Sequence, residues 1–503
     1  MDEDALVPGG QPAAPAWRLA PGFDSSTQGL IVSGFGHLPY AEALFLRQVS
    51  PGAAWLALLD QVAPITDATG PAARAATLAF TGTGLAALGV AESVLASFDA
   101  PFREGMHAPE RSRRLGDANL DTVADGGIRW SSNSPAGPET PHAIHALLLL
   151  YGSAGETVGA WATEVLSALG SHVVCEHRLS LDLQIDERGL VREHFGFTDG
   201  ISQPIPHGAA IVGQAGCLER WHGIESGDVL MGHLNAHHEP APGPYVPDAP
   251  IARAAGLVAG NAPPGCLDLG LNGSYLVVRE LQQDVAGFWR CMDRSAAAIR
   301  EADPSAAHVT AEWLAERVVG RDMNGHLLCP GGVLDPGPDG QPQNEVGFFE
   351  GDAFGLGCPM GSHVRRSNPR DGLAETPVFR QALLDAANNH RILRRGRKYG
   401  TRARGLRAPD GQERGLLFMC LNTDIVRQFE FVQQTWLLNP NFATLRDHTD
   451  PLIGPKGLFT LQERPLRRIF ELETFVRLAG GEYFFLPSIP AIRYLRTLPP
   501  REG

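Results

Sequence analysis

The same succession of short apolar strands and amphipathic helices runs through both halves of this 503-residue chain, which limits the fold to packed layers of mixed α and β structure. In the first half, apolar runs at Gly29–Phe35, Ala76–Phe80, His145–Tyr151 and Val173–Leu183 read as strands. Between the third and fourth of these, Thr157–Leu169 sets Val158, Trp161, Val165 and Leu169 on one helical stripe. In the second half Ser274–Arg279, Leu416–Leu421 and Glu482–Leu486 read as strands, and Ile425–Trp436 as a helix. Asp284–Arg300 reads as a helix with Phe288, Cys291 and Met292 inward. This periodicity fits two α+β layers and an α/β sheet equally well. The Pro/Gly-rich stretches His237–Pro250 and Pro330–Gln343 read as surface loops.

Composition removes several classes of function. A formal charge of −14 disfavours a nucleic-acid or anionic-membrane partner on electrostatic grounds. No stretch reaches the ~18 uninterrupted apolar residues of a membrane span. The opening Met-Asp-Glu-Asp-Ala has neither the basic region nor the apolar run of a signal peptide, so a cytoplasmic location is expected. Seven cysteines without a Cys-x-x-Cys pair make neither a disulfide framework nor a zinc site.

Three segments carry reactive groups: Gly196-Phe-Thr-Asp-Gly200, Gly361-Ser-His-Val-Arg-Arg-Ser-Asn-Pro-Arg370 and Arg391-Ile-Leu-Arg-Arg-Gly-Arg-Lys-Tyr-Gly400. Taken singly, each has a plainer reading. Asp-Gly is a common turn signal, a histidine beside two arginines is more often at the surface than a ligand, and an arginine cluster is ordinarily a solvated basic face. Together they offer a carboxylate, an imidazole and a guanidinium, a set suited to peroxide chemistry on a haem iron. A neutral imidazole, His363, would hold the iron from one side. A carboxylate, Asp199, would shuttle the peroxide proton. A guanidinium, Arg394, stays protonated and would stabilise the departing oxygen. Cys358, in Gly355-Leu-Gly-Cys358, is the competing iron ligand, but its loop lacks the spacing of thiolate-haem proteins and reads as a buried turn residue.

Read in order, these segments resemble those of the dye-decolorizing peroxidases, and the resemblance covers nearly the whole chain. Gln28–Tyr40, Ala79–Gly89, Phe102–Met106, Asp268–Val278, Leu416–Cys420, Gln428–Gln433 and Gly481–Ser488 fall in the family's order. The resemblance implies an α+β fold of duplicated ferredoxin-like domains with antiparallel sheets, like a dimeric α+β barrel, with the haem mainly in the C-terminal half. On this basis residues 1–215 are expected to form an N-terminal domain with the aspartate motif and 216–503 a haem-binding domain. It also implies haem b (iron protoporphyrin IX) with His363 as proximal ligand, and Asp199 and Arg394 on the distal side. The implied activity is reduction of hydrogen peroxide through an oxyferryl intermediate, with one-electron oxidation of dyes and phenolic compounds. A homo-oligomer is left open. The alternative is a haem-binding or iron-handling protein without turnover.

Supporting roles are expected for further residues. Arg365, Arg366 and Arg370 lie close enough in sequence to His363 to serve the haem propionates. Glu430 is the candidate acceptor for the second imidazole N–H of His363, with an exposed helix position as the alternative. Leu416 and Phe418 alternate on one strand face and would line the distal side, or simply pack. Trp436 and Tyr399 are candidate electron relays from the surface.

Overall fold

A computed structural model describes residues 17–18, 23–70, 72–132, 143–206, 210–211, 221–337, 342–463 and 467–499. Its centre is one antiparallel sheet of nine strands: β1 (Tyr40–Gln48), β2 (Ala75–Phe80), β3 (Ala146–Gly152), β4 (Val173–Asp182), β5 (Ser274–Gln283), β6 (Leu393–Arg394), β7 (Arg397–Tyr399), β8 (Gly415–Asn422) and β9 (Val476–Leu486). Because β5 pairs with both β9 and β8, the order β5-β9-β2-β3-β1-β4-β7-β8 closes on itself as a ring, with β6 lying along β8. Strands β1–β4 form one half of the ring and β5–β9 the other. The two halves meet at two narrow seams, Phe485↔Phe80 on one side and Lys398↔Asp182 with Tyr399↔Leu181 on the other. The expected domain boundary at 215/216 lies outside the described residues.

The apolar runs are buried on both faces, which is why they did not alternate cleanly in the sequence. Every strand of the ring sends residues into one inner cluster, among them Phe45, Leu147, Leu149, Leu181, Leu276, Met419 and Phe484. The opposite residues, such as Leu148 and Leu150, pack outward against α1 (Ala54–Val62) and α2 (Gly155–Leu169) through Trp55, Leu59, Val158, Trp161 and Val165. On the second half of the ring, residues of the outer face instead border a cavity. A bulge where Glu280 and Leu281 pair with Gly480 and Leu478 skips Ala479. Side-chain parity along β9 reverses there, and Val476 and Leu478 turn towards the cavity beside Leu281 and Gln283.

Most expected elements are present, with two differences. Gly29–Val32 is a turn of helix with all four residues buried, not a strand; a short, wholly buried apolar run has no period to distinguish the two. The expected helix Ile425–Trp436 is π-helical over Val426–Glu430 and Val432–Leu437, with Glu430 N–H donating to Ile425 O and Leu438 N–H to Gln433 O. Among the described residues, no helix is long and apolar enough to cross a membrane.

Candidate active site

A cavity of about 1080 Å³ opens between the outer face of β5, β8 and β9, the π-helical segment, and the helix α3 (His363–Ser367). It is bordered by Asp199, His363, Arg370, Arg394, Leu416 and Phe418. All six were singled out in the sequence.

The loop carrying Asp199 reaches over from the first half of the ring. Glu193 caps it from within, its carboxylate accepting from the N–H groups of Phe195 (2.9 Å) and Phe197 (2.8 Å) and from Gln283 Nε2 (3.0 Å). Gly196 at φ 103° makes the bend, in a conformation that favours glycine. Arg192 ties the loop base to Asp186 at 2.8 Å. Asp199 ends the turn, its Oδ1 accepting from Gly200 N–H at 2.6 Å while Oδ2 lies 3.0 Å from Lys398 Nζ. The turn reading of Asp-Gly is therefore correct, yet only one oxygen is used for it. Burial pushes the Asp199 carboxyl up, but Lys398 and Arg394 outweigh it and hold the group below the usual aspartate range. Arg394 is fixed by Nη2 donating to Ile201 O at 2.7 Å and by its N–H donating to Gln203 Oε1 at 3.1 Å.

On the other side, His363 begins α3, and its Nδ1 bonds Asp450 Oδ2 at 2.9 Å. Asp450 Oδ1 accepts from the N–H groups of Leu452 and Ile453, each at 3.0 Å. Burial opposes both charges, but the pairing prevails, so His363 is raised and Asp450 lowered from their ordinary values. With Nδ1 engaged, Nε2 is the nitrogen left for a ligand.

Several expected supporting residues lie elsewhere. Glu430 does not meet His363: it accepts from Tyr483 Oη at 2.7 Å and pairs with the part-buried guanidinium of Arg111. Asp450, which carried no signal beyond an Asp-Pro turn, has the role expected of Glu430. Arg365 turns from the cavity to the carbonyls of Asp352 (2.8 Å) and Cys358 (3.0 Å). Arg366 donates to Trp436 O (2.7 Å), Leu437 O and Asn439 O (both 3.1 Å), and also to His448 O, tying α3 to the end of the π-helical segment. Backbone carbonyls, each an obligatory acceptor, claim both guanidinium groups. Cys358 is buried, with its sulfur 3.1 Å from Ser362 Oγ. Trp436 packs under Phe431 and His390, and Tyr399 faces the inside of the ring, so neither is a surface aromatic.

Two arginines complete the cavity beside Arg370. Arg391 donates to Trp221 O and Ser202 O, both at 3.1 Å, and Arg321 donates to Gly325 O at 2.8 Å and Asn344 Oδ1 at 2.7 Å. Burial, and then repulsion from Arg370 and Arg394, lowers Arg321 and Arg391 to about 9; burial lowers Arg370 to about 10. Three crowded cations call for anions from a ligand. Among the described residues no group of three or more His, Cys, Asp and Glu could hold a metal ion directly, but one free imidazole nitrogen would suffice for an iron that a macrocycle already holds. Apolar walls from Leu281, Leu416, Phe418 and Val476, a guanidinium cluster that would serve propionates and one imidazole nitrogen left for iron fit haem.

A closed α+β ring with a histidine, a carboxylate and a guanidinium lining one haem-sized cavity fits a haem peroxidase architecture. Comparison with known proteins gives the family. Peroxidase 2 of Mycetinis scorodonius is 30% identical over 461 residues, covering 85% of this chain and 77% of the relative. Dye-decolorizing peroxidase AauDyP1 of Auricularia auricula-judae is 27% identical over 463 residues, covering 86% and 79%. The crystal structure of a DyP-type peroxidase from Anabaena sp. superposes with a TM-score of 0.71 at 23% identity, covering 94% of each chain. No family model matches the chain. The chain belongs to the dye-decolorizing peroxidase family.

Proposed function

We propose that this chain is a haem-dependent peroxidase that reduces hydrogen peroxide and oxidises dyes and phenolic compounds one electron at a time, with haem b held by His363 and the Arg321, Arg370 and Arg391 cluster. The observation that carries the reading is the His363–Asp450 pair, which leaves one imidazole nitrogen for iron in the same cavity as Asp199 and Arg394. Bound there, haem supplies a redox-active iron that accepts two oxidising equivalents from peroxide and passes them on singly.

The protein's own part is proton handling and electrostatics. Each Asp199 carboxylate oxygen has lone pairs beyond its present contact. An ionised Asp199 accepts a proton from the incoming peroxide and returns it to the outer oxygen, which departs as water. Arg394 keeps its positive charge throughout and offers its free N–H groups to that oxygen. Asp450 keeps the imidazole of His363 oriented and electron-rich. Because the proton acceptor is a carboxylate, turnover extends to acidic pH, where a histidine base, with its ordinary value of ~6.5, would be protonated.

The absorption spectrum of the haem-loaded protein and of its His363→Ala variant, before and after one equivalent of hydrogen peroxide, tests the reading. A Soret band that the variant shifts or loses, and that peroxide converts rapidly in the wild type, is the expected result. A wild-type band that depends on His363 but ignores peroxide would leave a haem-binding protein without turnover.

A further inference from the structure

Lys398 is a buried charge that the chemistry above does not use. It lies on β7, paired across the sheet with Leu416 on one side and Asp182 on the other, and is 1% exposed. Its neighbour Tyr399 belongs to the inner cluster and Arg397 lies over the Tyr151 ring of that cluster, 4.7 Å from its centre. Lys398 therefore points outward, as does Leu416 on the cavity wall. There its Nζ meets Asp199 Oδ2 at 3.0 Å.

We infer that Lys398 is a positioning residue for Asp199: it fixes the carboxylate in one orientation at the cavity and holds it there as the proton-accepting anion. The geometry divides the carboxylate between two anchors, the Gly200 N–H on Oδ1 and the ammonium on Oδ2, so the plane of the group is set without Arg394. The charges around it come from four elements. Glu193, on the same loop, repels Asp199 and is itself pushed up, by burial first. Arg394 from β6 and Lys398 from β7 attract it, and Lys398 has the larger influence of the two. Asp182 from β4 faces Lys398, but burial keeps its carboxyl raised. With Lys398 removed, burial and Glu193 would act against only Arg394 and the Gly200 N–H.

The consequence for turnover rests on the peroxidase reading; the electrostatic pairing does not. Infrared difference titration of the full chain against its Asp199→Asn variant, with and without haem, follows the protonated-carboxyl band of Asp199 directly. In the wild type that band is expected only below the ~4 of a free aspartate, at least one pH unit higher in Lys398→Met, and near the wild-type position in Lys398→Arg. The acid limb of kcat/KM for peroxide should move with it, upward in Lys398→Met and back in Lys398→Arg. A band at the same pH in the wild type and Lys398→Met overturns the inference. So does a wild-type band above ~4, which decides the matter even if Lys398→Met does not fold. If the band shifts as expected while the haem-loaded wild type stays inert to peroxide, the inference about the pairing holds and the peroxidase reading fails.

Discussion

At Asp199 the two carboxylate oxygens are divided between a turn and an ion pair, so an amide is the sharpest probe. Asp199→Asn keeps the Gly200 contact through its carbonyl and loses the proton acceptor. The second-order rate of peroxide reaction, followed by stopped-flow absorbance, should fall on the order of 10²–10⁴-fold; a fall under about tenfold would remove Asp199 as the shuttle. Across the cavity, Asp450→Asn leaves a hydrogen-bonding partner on His363 but takes away its charge. Haem affinity, measured by titration, should weaken by about 10–100-fold, and the midpoint potential should rise. Unchanged affinity together with an unchanged potential would mean that the His363–Asp450 contact only orients the ring. The local motifs led to Asp199, His363 and Arg394 because each lies in a distinctive short pattern, whereas Arg370, expected only from its closeness to His363, borders the cavity as well. Asp450 was not legible: it joins His363 from 87 positions away, and only the folded chain shows which carboxylate a buried imidazole meets. Arg365 and Arg366 misled for a related reason, since closeness to His363 in sequence says nothing about which carbonyls claim a guanidinium.

The loop Glu193–Ser202 shows how an element, rather than a residue, places the chemistry. Its bend depends on Gly196 at φ 103°, where an added Cβ would also come 2.9 Å from Met323 Cε. The methionine end can yield, but the backbone conformation cannot suit an L side chain without strain of about 1–3 kcal/mol. Gly196→Ala should therefore lower the urea midpoint and also slow peroxide reaction, because Asp199 lies three residues along. Gly36→Ala, with open space around the position, is the control and should alter neither. If the Gly196 variant loses stability but keeps its peroxide rate, the bend does not position the carboxylate. Element type was legible where periodicity was long, as for α2 and for Val285–Ala302. It failed at Gly29–Val32, where burial on all sides erases the pattern, and the π-helical stretches Val426–Glu430 and Val432–Leu437 are each too short for their wider spacing to stand apart from an α-helical one.

At the scale of the whole molecule, closure of the ring brings the loop bearing Asp199, and residues between Glu110 and Thr122, from the first half to a cavity walled mainly by the second. Repetition of strands and helices suggested the two halves; their seams, made of one and two residue pairs, depend on contacts between distant segments that no local pattern announces. One seam is reinforced by His194, 2% exposed, whose Nε2 donates to Tyr399 O at 2.8 Å while Gln184 Nε2 donates to Gly400 O at 3.1 Å. Burial is the main cause that lowers His194 to about 4. A histidine depressed in the folded state contributes its full stability above the unfolded value of ~6.5 and loses it as pH falls towards the folded value, because the unfolded chain takes up the proton first. The loss should total about 3 kcal/mol by pH ~4 and then level off. Acid pH, where the carboxylate chemistry is expected to work, thus weakens the seam beside it. Urea midpoints of the haem-free chain at pH 7, 5.5 and 4 should fall more steeply for the wild type than for His194→Gln, which keeps a donor towards Tyr399 O but does not titrate. Parallel pH profiles for the two would show that the acid sensitivity of the fold lies elsewhere, with His222, lowered to about 3 by burial and then by Arg391, Arg370 and Arg321, the next group to replace.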